Sequence, residues 1–246
     1  MSADPAANLR GLLEAQLEAQ LKGAPAAPEA SRFTPTLVAE HPFADPILEE
    51  LLYAFLAWEA GDKKAAPAPA KLAATCVDAN ELRICLSSEI VAALGNTYPK
   101  AAERAERIRA TLNDIFDREH EVSLASLVAT GKREARQYLD SLEGIPPYVA
   151  ARTALVALDC HAFPVDDRLR KLLAGESCLP DDEITDSAPG WIERQIRAGE
   201  AQPMFLALEH WAAEHKPASR TRKKTTKKAT SRKKTTKKAS SPKSDG

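Results

Sequence analysis

The stretch YLDSLEGIPPYVAARTALVALDCHAFPVDDRLRKLL, residues 138–173, decides the fold of this chain. It predicts one helix that ends before a sharp turn at 143–147 and a second helix that begins near Tyr148. Within the turn, Gly144 permits a backbone conformation that other residues avoid, and Ile145 is predicted to point into the core between the two helices. Two helices joined in this way form a helix-hairpin-helix, which can present backbone N–H groups and a helix N-terminus to a phosphate.

Helical patterns continue on both sides of the hairpin and place the chain in the all-α class. Hydrophobic residues make up 44% of the sequence and aromatic residues 5%, so the core must rest on aliphatic side chains, most of them helix formers. The AFPV segment is predicted as a short strand-like loop, and no sheet is expected. Helices are predicted over residues 45–60, 62–76, 78–94, 99–118, 123–129, 132–141, 148–158, 167–174, 189–199 and 203–215, with a loop at 175–188. Asp45, followed by Pro46, and Asp78 are predicted to cap the helices that they begin.

Three regions are expected along the chain. Residues 1–32 form an N-terminal helical arm and an Ala/Pro linker, residues 33–217 form the helical body, and residues 218–246 form a tail. The arm carries a leucine stripe over residues 8–22, and Asn8 is predicted to cap its helix. This amphipathic helix is expected to dock on the body or on a partner protein.

The tail is built from two near-copies of ten residues, RKKTTKKATS and RKKTTKKASS. Of the chain's 34 Lys or Arg and 35 Asp or Glu, the tail holds twelve basic residues and one acid, so it carries +11 and the remainder −12. With almost no apolar side chain it is predicted to be disordered. The predicted DNA-binding residues of the tail are Arg222, Lys223, Lys224, Lys227, Lys228, Arg232, Lys233, Lys234, Lys237 and Lys238.

Binding through such a tail should be nonspecific and strongly salt-dependent, because it releases counterions and has neither aromatic side chains nor a fixed geometry. The tail resembles the Lys-rich C-termini of linker histones and of similar bacterial DNA-binding proteins. DNA is the expected partner, and RNA, a protein partner or a merely solubilising terminus are the alternatives. A membrane is not expected, because no apolar anchor accompanies the charges. The sequence indicates a cytoplasmic, nucleoid-associated protein, or a nuclear one in a eukaryote.

Several segments resemble the endonuclease III-like (HhH-GPD) DNA glycosylases. LEGIP at 142–146 stands where that family has its hairpin, and YVAARTALVAL and AFPVDDRLRKLL follow it with the family's spacing from Gly144 to Asp166. Upstream, EELLYAFLAWEAGD and ALGNTYPKAAERAERIRATL look like the family's earlier helices. The resemblance covers roughly residues 42–175 and extends toward 215. It implies a helix-hairpin-helix glycosylase fold and a role in base-excision repair.

By this resemblance, Asp166 stands at the family's essential aspartate. That carboxylate faces the flipped nucleotide, where it stabilises positive charge on the sugar or helps to activate the attacking group. Asp166 is also a natural N-cap for the helix predicted at 167–174. The two roles are compatible at one residue, so both stay open.

The chain departs from the family pattern in several places. The lysine nucleophile of bifunctional members is replaced by Tyr148, which cannot form a Schiff base, so lyase chemistry is not expected. Pro146 and Pro147 lack the N–H groups that would bind a phosphate. The glutamine that fills the gap left by a flipped base is replaced near Glu59, an acid that would repel the duplex. An iron–sulfur cluster needs four cysteines after the aspartate, and only Cys178 lies there, so neither a cofactor nor a metal is expected.

These features predict a DNA-binding protein related to base-excision-repair glycosylases. If it is an enzyme, it is expected to be a cluster-free monofunctional glycosylase that uses Asp166; otherwise it is an inactive relative. Gly144 and Ile145 are predicted to contact DNA, and Arg152 and Arg168 to meet phosphate if they are exposed beside the hairpin, with solvated or salt-bridged roles as the alternative. The rival function is a chromosome-associated or adaptor protein whose acidic body binds proteins and whose tail binds DNA nonspecifically.

Overall fold

The protein is all-helical in the computed structural model, which describes residues 4–23, 45–180 and 187–215. This confirms the predicted fold class, and no strand occurs within those ranges. The predicted tail at 218–246 and most of the Ala/Pro linker lie outside the described residues. The helices are α1 Pro5–Gly23, α2 Pro46–Ala57, α3 Asp62–Ala65, α4 Ala68–Ala73, α5 Ala79–Ile84, α6 Ser87–Leu94, α7 Ala101–Glu119, a 3₁₀ helix Ala125–Ala129, α8 Lys132–Asp140, α9 Pro147–Leu158, α10 Asp167–Gly175, α11 Ala188–Glu193 and α12 Ala198–Glu214.

Helices α2 and α9 lie at the centre of the body and pack against each other. Asp45 starts α2 by accepting hydrogen bonds from the backbone N–H groups of Ile47 and Leu48, and Pro46 fills the first helical position, as predicted. Almost all of α2 and most of α9 are buried, which is the pattern of helices surrounded by protein on every side. The ends of these two helices therefore set the positions of the residues that follow or precede them.

Two long predicted helices are divided in the structure. The helix predicted at 78–94 breaks after Ile84, because the Glu89 side chain accepts a hydrogen bond from the Leu86 N–H and starts α6 as a separate helix. The helix predicted at 62–76 becomes α3 and α4, which are separated at Pro67, a residue without an N–H. The segment predicted at 123–129 is a 3₁₀ helix rather than an α-helix.

The start of α12 was predicted too late in the chain. The helix begins at Ala198, not at Pro203, and Pro203 lies inside it. Ala201, Phe205 and Leu208 are fully buried at helical spacing, so packing of this face extends the helix through the proline.

The N-terminal helix docks on the body, against α12. Leu9 and Leu13 are fully buried there, whereas Leu21, the last member of the predicted stripe, is 75% exposed. The prediction that Asn8 caps this helix is wrong: the helix begins earlier, and the Asn8 side-chain amide instead donates a hydrogen bond to the Ser177 carbonyl, 3.0 Å away. Asn8 thus ties the arm to the segment after α10.

The hairpin between α8 and α9 packs tightly against α7. Gly144 has a φ of 76°, and a Cβ atom there would lie 3.0 Å from Ala110 Cβ and 3.2 Å from the Arg107 carbonyl oxygen. Arg107 donates to the Gly144 carbonyl at 3.0 Å, and Thr111 donates to the Glu143 carbonyl at 2.8 Å. Ile145 is partly buried against the core, as predicted.

None of the described helices is long and apolar enough to cross a membrane.

Candidate active site

Asp166 occupies the N-cap position of α10 and is 5% exposed. Its Oδ1 accepts a hydrogen bond from the Leu169 N–H at 2.7 Å, so the predicted capping role is confirmed. Its Oδ2 accepts from the Glu59 N–H, also at 2.7 Å, across 107 positions of sequence. Because a carboxylate offers about four acceptor sites, these two bonds fix its orientation and leave further sites for another partner.

A cavity of about 200 Å³ opens beside Asp166. The residues that follow α2, the first turn of α9, the first turn of α10 and the start of α11 form its walls. Its polar and aromatic lining consists of Trp58, Glu59, Tyr148, Asp166, Asp167 and Arg170. The structure therefore brings Asp166 together with Tyr148 and Glu59, the residues at which the family resemblance located the essential aspartate, the missing lysine and the replaced glutamine.

Glu59 is linked to the start of α10 in both directions. Its own N–H donates to Asp166, and its Oε1 accepts from the Asp167 N–H at 3.2 Å. Burial, followed by the charge of Asp166, raises the pKa of Glu59, against the opposing effects of that N–H and of Lys100. Asp167 differs: hydrogen bonding to Arg170 lowers the pKa of its carboxyl. The pKa values of Glu59 and Asp167 are thus shifted in opposite directions, although both acids line the same cavity.

Tyr148 is 2% exposed, and its hydroxyl accepts a hydrogen bond from Arg152 Nη1 at 3.2 Å. Burial raises the pKa of this phenol well above its ordinary value, so it is neutral at physiological pH. A buried, neutral phenol has no amine with which to attack a sugar. Tyr148 therefore shapes the cavity wall and cannot act as the Schiff-base nucleophile.

Arg152 and Arg168 are not available to a phosphate in this structure, which corrects their prediction as DNA-binding residues. Arg152 is fully buried, with its Nε 2.9 Å from Glu50 Oε1. Arg168 Nη2 lies 3.1 Å from an oxygen of Glu209, which is also fully buried. Both side chains take the salt-bridged alternative, because each faces an interior acid from another helix.

A basic cluster beside the cavity was missed in the sequence. Lys100 Nζ, the Arg104 guanidinium and the Arg107 guanidinium lie 4.4, 5.7 and 5.5 Å from the centre of the Trp58 ring. Arg104 is fully buried and donates to the Trp58 and Pro99 carbonyls, and burial lowers its pKa to about 10. Lys100 stands at the N-cap of α7, and Arg104 and Arg107 follow on one face of that helix, a spacing that could have revealed their part of the cluster.

An acid lies within the basic cluster. Glu103 lies between its two exposed members, 2.9 Å from Arg107 and 3.6 Å from Lys100. The hairpin itself offers few donors, because the Ile145 N–H binds the Leu142 carbonyl and Pro146 and Pro147 have none. Of the basic cluster, Arg107 contacts the hairpin, through its hydrogen bond to the Gly144 carbonyl.

The described residues hold no cluster of three or more side chains suited to a metal ion. All four cysteines are free, and Cys178, the only one after Asp166, is buried. Cys76 and Cys85 lie far from Asp166 in sequence and have their sulfur atoms 3.0 Å apart.

The ten basic tail residues predicted to bind DNA lie outside the part of the chain that the structure describes.

Among known proteins, the chain is similar to solved structures but matches no family model and no curated sequence. Among solved structures, a trapped endonuclease III–DNA covalent intermediate is similar with a TM-score of 0.57 and 16% identity, over 87% of this chain and 88% of that one. A thermostable thymine-DNA glycosylase is similar with a TM-score of 0.56 and 15% identity, over 84% and 86% of the two chains. The chain therefore has the all-α helix-hairpin-helix fold of the endonuclease III-like DNA glycosylases.

Proposed function

We propose that the body is a monofunctional DNA N-glycosylase whose catalytic carboxylate is Asp166. The observation that carries this proposal is the position of Asp166: a nearly buried carboxylate, fixed by two backbone N–H groups, in the wall of a cavity beside the hairpin. The similar endonuclease III and thymine-DNA glycosylase are proteins that act on DNA, and their fold is the fold of this chain.

The chemistry suits a carboxylate with this environment. Cleavage of an N-glycosidic bond develops positive charge on the deoxyribose, and a nearby carboxylate stabilises that charge more strongly when water is excluded. Asp166 is oriented before any substrate arrives, so little reorganisation is required during the reaction. Water is then the nucleophile, since Tyr148 offers no amine, and the expected product is an abasic site without strand cleavage.

The experiment that tests this proposal compares Asp166→Asn with the unmodified protein on duplexes that carry single damaged or mismatched bases. Asn is as good an N-cap as Asp, so this variant should remove the charge and preserve the helix start. Release of a base by the unmodified protein, and its loss in Asp166→Asn, would support the proposal. No release from any duplex would contradict it for those lesions.

A matched control separates catalysis from capping. Asp78 caps α5 as Asp166 caps α10: its side chain accepts from a backbone N–H three residues later, at 2.8 Å. Asp78 does not line the cavity. Asp78→Asn should therefore retain both the unfolding free energy and base release. Asp166→Asn should lose base release, and it should also lose about 1–3 kcal/mol of unfolding free energy, because its Nδ2 cannot accept the Glu59 N–H; urea unfolding checks that it still folds.

We further propose that residues 218–246 supply nonspecific affinity for DNA and hold the protein on the nucleoid. The tail's +11 charge supports this, since each phosphate neutralised adds about 0.9 to the slope of log affinity against log salt. Deletion of residues 218–246 should reduce both the affinity and the slope. Unchanged duplex binding would instead assign nonspecific binding to the body, and tighter binding to RNA of equal length would favour RNA as the partner.

A second candidate function is a non-enzymatic chromosome-associated or adaptor protein. It is favoured by the loss of phosphate-binding groups at the hairpin, where Pro146 and Pro147 have no N–H and Arg152 is buried in an ion pair. The glycosylase assay distinguishes the two functions. DNA binding that survives Asp166→Asn, together with no base release by the unmodified protein, is the result expected of the adaptor.

A further inference from the structure

We propose that Glu59 is a second catalytic carboxyl group of the cavity, which protonates the departing base while Asp166 stabilises the sugar. This inference rests on the proposed glycosylase function and assigns a residue to the leaving-group side of that reaction. The cavity wall carries three acids, Glu59, Asp166 and Asp167, and the Glu59 N–H donates a hydrogen bond to Asp166 Oδ2 across two helix ends.

The backbone holds Glu59 in an uncommon conformation at the cavity wall. Its φ of 57° lies in the left-handed region, which a residue with a long side chain seldom adopts unless surrounding contacts fix it. Those contacts are the bond from its N–H to Asp166 Oδ2 and the bond from the Asp167 N–H to its Oε1. The Glu59 carboxyl is thereby fixed to the same unit as the proposed catalytic aspartate.

The surroundings of Glu59 favour a proton on its carboxyl. From α10 it faces the acids Asp166 and Asp167, and from the side of α7 it faces Lys100 and Arg104. Burial and Asp166 outweigh the cations, so the pKa of Glu59 is raised. Asp166 differs in its contacts, because each of its carboxyl oxygens accepts a backbone N–H group. Two neighbouring carboxyl groups with different environments can divide acid and anion roles between them.

In the proposed step, the bond between the sugar C1′ and the base nitrogen breaks, its electron pair goes to the base, and the proton of Glu59 moves to the base. The Asp166 carboxylate stabilises the resulting cationic sugar. Water then adds to C1′, and its proton passes to the Glu59 carboxylate, which restores the starting state. The products are a neutral free base and an abasic sugar, and no oxidant or cofactor is consumed.

This role predicts a dependence on the charge of the base. A neutral base such as uracil or hypoxanthine leaves as an anion unless it receives a proton, so it needs the acid. A cationic base such as 7-methylguanine leaves as a neutral molecule without one. A residue that merely supports the cavity would affect both kinds of substrate alike, so the two kinds of base separate an acid from a structural support.

The test measures single-turnover release of a neutral and of a cationic base from otherwise identical duplexes, with the full-length protein and Glu59→Gln. Gln keeps an oxygen that can accept the Asp167 N–H, so the variant should fold, which is checked by urea unfolding. Glu134→Gln, an exposed acid on α8 away from the cavity, is the matched control. General acid catalysis contributes about 10²–10⁴-fold, so we expect a loss of that size for the neutral base, unchanged release of the cationic base, and no effect of the control.

The pH dependence gives a second readout on the neutral base. Release by the unmodified protein should fall as pH rises through the raised pKa of Glu59, and Glu59→Gln should abolish that limb. Equal losses for both bases, no loss for either, or an unmodified protein that releases only the cationic base would overturn the role of Glu59 and leave the glycosylase proposal standing. No release from any duplex by the unmodified protein would overturn the glycosylase proposal, and this inference with it.

Discussion

Replacing Gly144 with alanine should destabilise the body, because the hairpin needs both a backbone conformation and a space that alanine does not have. The φ of 76° costs a residue with a Cβ about 1–2 kcal/mol. The added Cβ would also lie 3.0 Å from Ala110 Cβ, well inside ordinary carbon–carbon contact, and overpacking of this kind costs about 1–3 kcal/mol. Together these give a loss of about 2–5 kcal/mol, a large share of the stability of a typical domain.

Alanine substitutions at two other glycines separate the effect of the backbone angle on stability from the effect of close packing. Gly95 has a φ of 96°, but a Cβ atom added there would meet nothing within 4 Å, so Gly95→Ala tests an unfavourable backbone angle alone. Gly175 has open space and no positive φ, so Gly175→Ala should be neutral or slightly stabilising. From highest to lowest, we expect the order of unfolding free energies to be Gly175→Ala, then Gly95→Ala, then Gly144→Ala.

The assay is urea unfolding followed by circular dichroism at constant pH. With a slope of roughly 2 kcal/mol per molar urea, the midpoint of Gly144→Ala should fall by about 1–2.5 M relative to the unmodified protein. A midpoint equal to that of Gly95→Ala would refute the close packing of the hairpin against α7. A midpoint equal to that of Gly175→Ala would refute the left-handed turn as well.

Two further predictions concern buried groups near the cavity. Burial raises the pKa of Glu209 to about 7, so the folded protein holds a proton that the unfolded chain releases, and the contribution of Glu209 to stability should fall as pH rises from about 4.5 to about 7. Glu209→Gln should remove that part of the pH dependence in urea unfolding, and an unchanged dependence would contradict the assignment. Tyr148→Lys should place an amine in the cavity wall beside Arg152. Burial and that cation lower the pKa of the amine, against the charges of Glu209, Asp166 and Asp62, and a neutral amine can attack a sugar. Borohydride should then trap a covalent adduct with abasic DNA that the unmodified protein does not form, and no adduct from a folded variant would show that the cavity does not admit the sugar.

The hairpin and the cap at Asp166 could be predicted from sequence because their signals are local. A glycine in a turn, a proline at a helix start and an aspartate before an amphipathic run each act within a few residues. The same is true of Asp45 and Asp78, both of which cap helices as expected. The division of 78–94 into two helices was also a local event, but it depends on the Glu89 side chain, which the apolar periodicity does not register.

The chemistry around the cavity could not be predicted in the same way, because it depends on pairs that are distant in sequence. Arg152 is withdrawn from the surface by Glu50, 102 residues away, and Glu59 is joined to Asp166 across 107. Neither helical periodicity nor a count of charges shows which residues so far apart in sequence will form a pair. The sequence therefore leaves Arg152 open between a phosphate contact and an ion pair, and it identifies Glu59 only as a departure from a family pattern.

Under the proposed function, the acidic body and the basic tail have different roles. In the proposed reaction the Asp166 carboxylate stabilises a cationic sugar, but such an acidic cavity repels the phosphates on either side of that sugar. Lys100 and Arg107 offset this only in part, because both lie beside Glu103. Residues 1–217 carry a net charge of −12 and would gain little from long-range attraction to DNA. Under the proposed function, the +11 tail raises the local concentration of duplex without contributing to the chemistry. An acidic active site and a basic tail are therefore complementary in this proposal: the tail allows the cavity to keep the carboxyl groups that its reaction requires.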